Sequence, residues 1–261
     1  MLRKLLKHEF ASTGRFLIPM YVILLVIALF DRVVLNLDIF PGVLAIIPGF
    51  LTMAYIVSII AVVVITFVLL VLRFYKNLLG EEGYLMFTLP VRSDQLLTTK
   101  LITSMVWTFL SVIAVIASLL LAFASLESIP RIAEVLSEPY WELRGMFGDK
   151  TVLVLIEFAL MVLVGTAMNI LLIYVAIAVG QLFNGHRVLG AFVSYVGIYT
   201  ATQLVLALLI VIGSKLLRNS LDSAESVHNI VLPLALLVMT ATSAVYYITI
   251  NRIFKRKLNL E

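Results

Sequence analysis

Residues 80–100 read GEEGYLMFTLPVRSDQLLTTK, and no other part of the chain mixes acids, turn residues and apolar side chains so densely. Glu81 and Glu82 are adjacent acids of the kind an intramembrane hydrolase could use, but no histidine-bearing span accompanies them. The three histidines, His8, His186 and His228, are too scattered to converge on one metal, and there is no H-E-x-x-H pattern. Cysteine is absent, which removes thiolate ligands, cysteine nucleophiles and disulfides. ATP binding through a P-loop needs G-x-x-x-x-G-K-[ST], because backbone amides and a lysine must cradle the phosphates. The nearest spacings, GQLFNGHR from 180 and GHRVLGAF from 185, lack the Lys-Ser/Thr. The chain is therefore expected to have no catalytic residues, no metal and no cofactor of its own, and not to be an enzyme by itself.

These residues sit in a chain with 62% hydrophobic and 13% charged residues and a mean hydropathy of +1.13. Soluble domains carry about 25% charged residues, so this is an integral membrane protein, all-α in fold class. About 20 apolar residues are needed to cross the hydrocarbon core, and six stretches qualify: 16–36, 43–72, 98–125, 151–183, 189–213 and 230–250. They make residues 1–261 one transmembrane domain without a nucleotide-binding domain. The second and fourth are long enough to tilt or project, and Pro48 is expected to kink the second. The N-terminus looks like a signal peptide, but Asp31 and Arg32 follow the apolar run where a cleavage site would stand, which favours a retained span.

Lys and Arg set the orientation. Thirteen fall in residues 1–15, 73–100, 184–188 and the C-terminal tail, against six in the alternate connections. By the positive-inside rule both termini and the 80–100 segment are cytoplasmic. The net charge of +4 thus reflects topology and not a nucleic-acid partner. In MLRKLLKHEFAST, Leu2, Leu5, Leu6, Phe10 and Thr13 share one helical face and Arg3, Lys4, Lys7 and His8 another, as in an amphipathic N-terminal interfacial helix. The external SIPRIAEVLSEPYWELRGMFGDK suggests a short interfacial helix anchored by Tyr140 and Trp141 and broken at Pro139.

Ionisable residues within a span usually mark function, and Glu157 is the one expected there. It either senses substrate or protons, or snorkels to the outer interface or pairs with a neighbouring helix. Polar stripes are more numerous. Thr52, Tyr55 and Ser58 follow at i, i+3 and i+6 in the second span; Tyr195, Tyr199, Thr202 and Gln203 fall at i, i+4, i+7 and i+8 in the fifth. Further polar groups dot the fourth and last spans, including Asn169, Tyr174, Gln181, Thr240 and Tyr246. Such stripes must face protein or water. Interhelical hydrogen bonding and a weakly polar translocation path both fit, and the spacing does not choose between them.

In the opening segment, Pro90 should end any helix through EEGYLMFT. Ser93 fits an N-cap with Asp94 in the first turn of the third span. A short helix presenting Tyr84, Leu85, Met86 and Phe87 beside Glu81 and Glu82 looks like a docking peg, with apolar anchors inside a charged rim. Glu82, Gly83, Tyr84, Leu85, then Thr88, Leu89, Pro90, Val91, Arg92, then Leu96, Leu97 and Lys100 resemble the cytoplasmic motif between spans two and three of ABC-2-type transporter permeases. Those exporter subunits also have six spans with both ends inside. Tyr84 and Met86 depart from the Thr and Glu common in that family, which leaves the substrate class open.

The resemblance implies a coupling helix, involving Glu81, Glu82, Gly83, Tyr84, Leu85, Met86, Phe87, Pro90 and Arg92, that seats in a separate ABC ATPase subunit. It implies two ATPase copies holding ATP and Mg, a second permease subunit of the same or related kind, and surrounding membrane lipid. The location would be the bacterial inner (cytoplasmic) membrane and the cargo a peptide, drug-like molecule or lipid. The second and fifth spans would line the path, through Thr52, Tyr55, Ser58, Tyr195, Tyr199, Thr202 and Gln203. The alternatives are a membrane carrier without an ATPase and a non-transporting membrane scaffold or sensor.

Overall fold

The structure is a computed structural model, and it describes residues 2–37, 46–79, 92–124, 129–183, 185–216 and 227–256. Among these, helices are α1 (Leu2–Leu37), α2 (Ile46–Leu79), α3 (Ser93–Phe123), α4 (Ile129–Phe147), α5 (Thr151–Gly180), α6 (Arg187–Leu216) and α7 (Leu232–Arg256). A 3-10 turn, Gly148–Lys150, joins α4 to α5, and a π-turn, Val227–Val231, leads into α7. No strand occurs among the described residues. Six helical stretches are long and apolar enough to cross a membrane, so the chain is a multi-pass membrane protein.

Several helices differ from their expected bounds. The N-terminal amphipathic segment and the first span are one helix, α1, which runs through Pro19. A mid-helix proline removes one backbone hydrogen bond and tends to kink; Leu17 and Tyr21, two residues to either side, are buried in the core of the first unit. Pro48 is the third residue of α2, in the first turn, where an amide has no intrahelical acceptor to lose. It opens the helix and does not kink it. Pro139 likewise does not break its helix, since α4 continues from Ile129 to Phe147. The expected coupling helix falls in residues 80–91, outside the described residues.

The chain divides into two compact units. The first comprises residues 1–73 and 95–133, hence α1, most of α2 and most of α3. Its core is a seam of Leu17, Tyr21, Leu24, Ala28, Tyr55, Val62, Leu70, Trp107, Ala114 and Ala122. The small alanines let the helices approach where no aqueous hydrophobic force drives them together. Tyr21 and Phe10 flank Trp107, each with ring centroids 6.2 Å from it.

The second unit comprises residues 74–94 and 134–261. Here α5 packs along both α6 and α7. The C-terminal half of α5 is the buried part, with Leu171, Leu172, Tyr174, Val175, Ala176 and Ala178 in the core. Phe74, fully buried, stacks on Tyr174 at 3.7 Å between centroids with the rings nearly parallel, and Phe254 of α7 lies 6.3 Å from it. At the α5–α6 corner Gly180 meets the backbone of Ala191 so closely that an added Cβ would lie 2.5 Å from it. Gly185 takes φ 91°, a conformation other residues rarely adopt. Together these two glycines allow α6 to fold back directly onto α5.

Candidate functional site

The charged residues described in the first unit gather at its two ends. At one end Glu9 of α1 lies between two cations. Lys100 Nζ of α3 is 2.6 Å from Glu9 Oε1, and Arg73 of α2 is 3.5 Å from the same oxygen. Arg73 also donates to Thr13 Oγ1 at 2.6 Å and to the Ser12 hydroxyl. Thr13 in turn donates to the Glu9 carbonyl at 2.8 Å. The side chains of Glu9 and Lys100 are 9% and 6% exposed and that of Arg73 20%, so this is a nearly dry ionic clasp across three helices. Taking such charges out of water is unfavourable unless each finds a partner, and here each does.

At the other end lies Asp31 of α1, 1% exposed. Thr52 of α2 donates to its Oδ1 at 3.1 Å, while Oδ2 is buried and lacks a hydrogen-bond partner. Tyr55, fully buried, pairs with Ser118 of α3 at 3.0 Å, and Arg32 donates to the Leu121 carbonyl at 3.2 Å. Midway, Tyr21 meets Thr66 at 3.3 Å and donates to the Trp107 carbonyl at 3.4 Å.

The spacing of the two ends is informative. At about 1.5 Å rise per residue, residues 9 and 31 are ~33 Å apart along α1, and 73 and 52 on α2 or 100 and 121 on α3 are each ~32 Å apart. A bilayer's hydrocarbon core is about 30 Å thick. The three helices thus place both polar clusters at the edges of an apolar slab of membrane thickness.

Of the expected coupling residues, Glu81, Glu82, Gly83, Tyr84, Leu85, Met86, Phe87 and Pro90 lie outside the described residues. Arg92 is described: it is exposed, and its Nε is 3.3 Å from Asp94 Oδ1. Ser93 opens α3 with Asp94 in its first turn, and its hydroxyl reaches across to Asn251 Oδ1 of α7 at 2.9 Å. Tyr247, also on α7, donates to the Asp94 carbonyl at 3.1 Å. The first turn of α3 is therefore anchored to α7 by two hydrogen bonds.

The candidate path residues divide between the two units. Thr52 and Tyr55 face protein partners, and Ser58 donates to the Tyr55 carbonyl at 2.6 Å. In the second unit Thr202 meets Tyr246 Oη of α7 at 2.5 Å, whereas Tyr195, Tyr199 and Gln203 are exposed on α6. The two tyrosine rings stack at 6.1 Å.

Sequence reasoning missed the clasp and the Asp31 pocket. Glu157, half-buried on α5, is not the only ionisable residue within a long helix, since Glu9 and Asp31 are both more deeply buried. Arg73 and Lys100 count among the bases of the 73–100 segment, and both are paired with Glu9. One signal was present: Glu9 occupies the apolar face of α1 with Leu5, Leu6 and Thr13, where an unpaired acid has no reason to be. Among the described residues, no group of three His, Cys, Asp or Glu is arranged to hold a metal ion. No family model, curated protein or solved structure matches the chain.

Proposed function

We propose that the chain is the membrane subunit of an ATP-driven exporter of the ABC-2 type, working with a separate ATPase subunit. The observation that carries this reading is the 82–100 motif, with Glu82, Gly83, Tyr84, Leu85, Thr88, Leu89, Pro90, Val91, Arg92, Leu96, Leu97 and Lys100 set between the second and third of six spans. The helices that flank the motif support the reading. α2 runs seven residues past the expected span end to Leu79, and α3 begins at Ser93. Both are stiff levers that project beyond the hydrocarbon, and Lys100 and Arg73 pin them to α1 through Glu9.

In this reading the 80–91 segment is cytoplasmic and docks Tyr84 and Phe87 into an ATPase groove. ATP-driven closure of two such ATPases would then move the ends of α2 and α3 together. Cargo would be a peptide, drug-like molecule or lipid, and a second permease subunit would complete the transporter in the bacterial inner membrane. A carrier without an ATPase would place its coupling carboxylate near the bilayer midplane. The two most buried carboxylates among the described residues, Glu9 and Asp31, instead lie at the slab's edges, which favours the ATPase-driven reading.

The test is co-purification of the full chain with P-loop ATPases encoded beside it. Tyr84→Ala with Phe87→Ala should remove the ATPase while membrane insertion is unchanged. An unaltered ATPase stoichiometry in that double variant refutes the proposal.

A further inference from the structure

The Asp31 pocket has a donor problem. Asp31 is 1% exposed, and neither Arg32 nor any other Lys or Arg among the described residues forms an ion pair with it. Arg32, the adjacent cation, directs its guanidinium to the Leu121 carbonyl. Thr52 gives its single hydroxyl proton to Oδ1. Ser118 donates to the Val115 carbonyl at 2.8 Å, so in its pair with Tyr55 the tyrosine must be the donor. Ser58 donates to the Tyr55 carbonyl. Each of these hydroxyl protons is thus committed, and Oδ2 remains without a hydrogen-bond partner. Tyr55 lies three residues beyond Thr52 on the same face of α2, and as the donor to Ser118 its phenolic oxygen keeps a lone pair free. An isolated carboxylate in such a setting is strongly unfavourable unless a positive charge compensates it.

We propose that Asp31 is the anionic ligand of a small monovalent cation, with sodium the fitting size, held by Asp31 Oδ2 and the hydroxyl oxygens of Thr52 and Tyr55. The groups named here are all oxygen donors, which suits hard cations and disfavours transition metals. A single carboxylate neutralises one positive charge and would leave a divalent ion uncompensated between apolar helices. The three donors come from α1 and α2, while α3 supplies the Ser118 hydroxyl that orients Tyr55. Bound cation would therefore lock the end of the first unit opposite the Glu9 clasp. The inference does not depend on the ATPase reading, because cation binding needs neither the partner nor cargo.

The test uses the full-length chain in detergent, with thermal unfolding followed in sodium, potassium or N-methyl-glucamine chloride at constant ionic strength. Sodium should raise the melting temperature saturably, and Asp31→Asn should abolish the dependence. Tyr55→Phe, which keeps the ring and removes one ligand oxygen, should raise the half-saturating sodium concentration about tenfold, the scale of one modest contact. If Asp31→Asn does not fold, the Tyr55→Phe shift decides alone. Equal stability in all three salts overturns the proposal, as does sodium dependence that survives in Asp31→Asn. An Asp31→Asn variant as stable as wild type in every salt would mean that a proton on Oδ2 does the neutralising, and this also overturns it.

Discussion

Replacing Glu9 by glutamine takes one charge out of a nearly dry site and leaves two cations behind. Lys100, 6% exposed at the side chain, loses a carboxylate at 2.6 Å. Arg73 is less affected, because its guanidinium keeps the hydroxyls of Ser12 and Thr13. Removing one partner from a buried ion pair costs about 3–5 kcal/mol. For a chain of this size that corresponds to a melting-temperature drop of roughly 6–20 °C. Lys100→Met should cost less, about half as much, because Glu9 retains Arg73 and the methionine stem still packs. The double variant Glu9→Gln/Lys100→Met should recover at least ~2 kcal/mol relative to the sum of the singles, the signature of direct coupling. The assay is reversible unfolding of the purified chain in mixed micelles, closed as a double-mutant cycle. A Glu9→Gln penalty below about 1 kcal/mol, or singles that simply add, would refute the idea that these residues form one desolvated clasp.

Other substitutions probe the second unit. Gly180→Ala places a methyl against the Ala191 backbone at 2.5 Å, so it should destabilise by about 1–3 kcal/mol in the same unfolding assay. Phe74→Ala removes a fully buried ring from its stack on Tyr174 and should cost about 3–5 kcal/mol. Tyr246→Phe breaks the contact with Thr202, yet Thr202 keeps its bond to the Ile198 carbonyl, so the loss should stay near 0.5–1.5 kcal/mol. Trp141→Ala, at a residue 60% exposed, should change stability by no more than about 0.5 kcal/mol.

The membrane class and the number of spans were legible in the sequence because they depend on local quantities. Twenty consecutive apolar residues are long enough to cross hydrocarbon whatever they pack against, and each of the six expected stretches overlaps one long helix of the structure over most of its length. The start of α3 was legible for the same reason: Ser93 and Asp94 follow a proline that cannot continue a helix. Helix ends were less so, since polar flanks such as Arg73 to Leu79 carry no hydropathy signal but remain helical.

Only tertiary structure decided what the polar residues do. Periodicity puts Thr52, Tyr55 and Ser58 on one side of α2, but the same face could meet a water path or another helix. Packing gave Thr52 to Asp31 and Tyr55 to Ser118, partners 21 and 63 residues away in sequence. Glu9, Arg73 and Lys100 carry no shared local pattern, because their separations of 64 and 91 residues are set by how three long helices return to the same level of the membrane. Charge counted along a chain orients that chain in a bilayer. Whether a given charge is solvated or clasped depends on which helix ends meet, and that is a property of the fold alone.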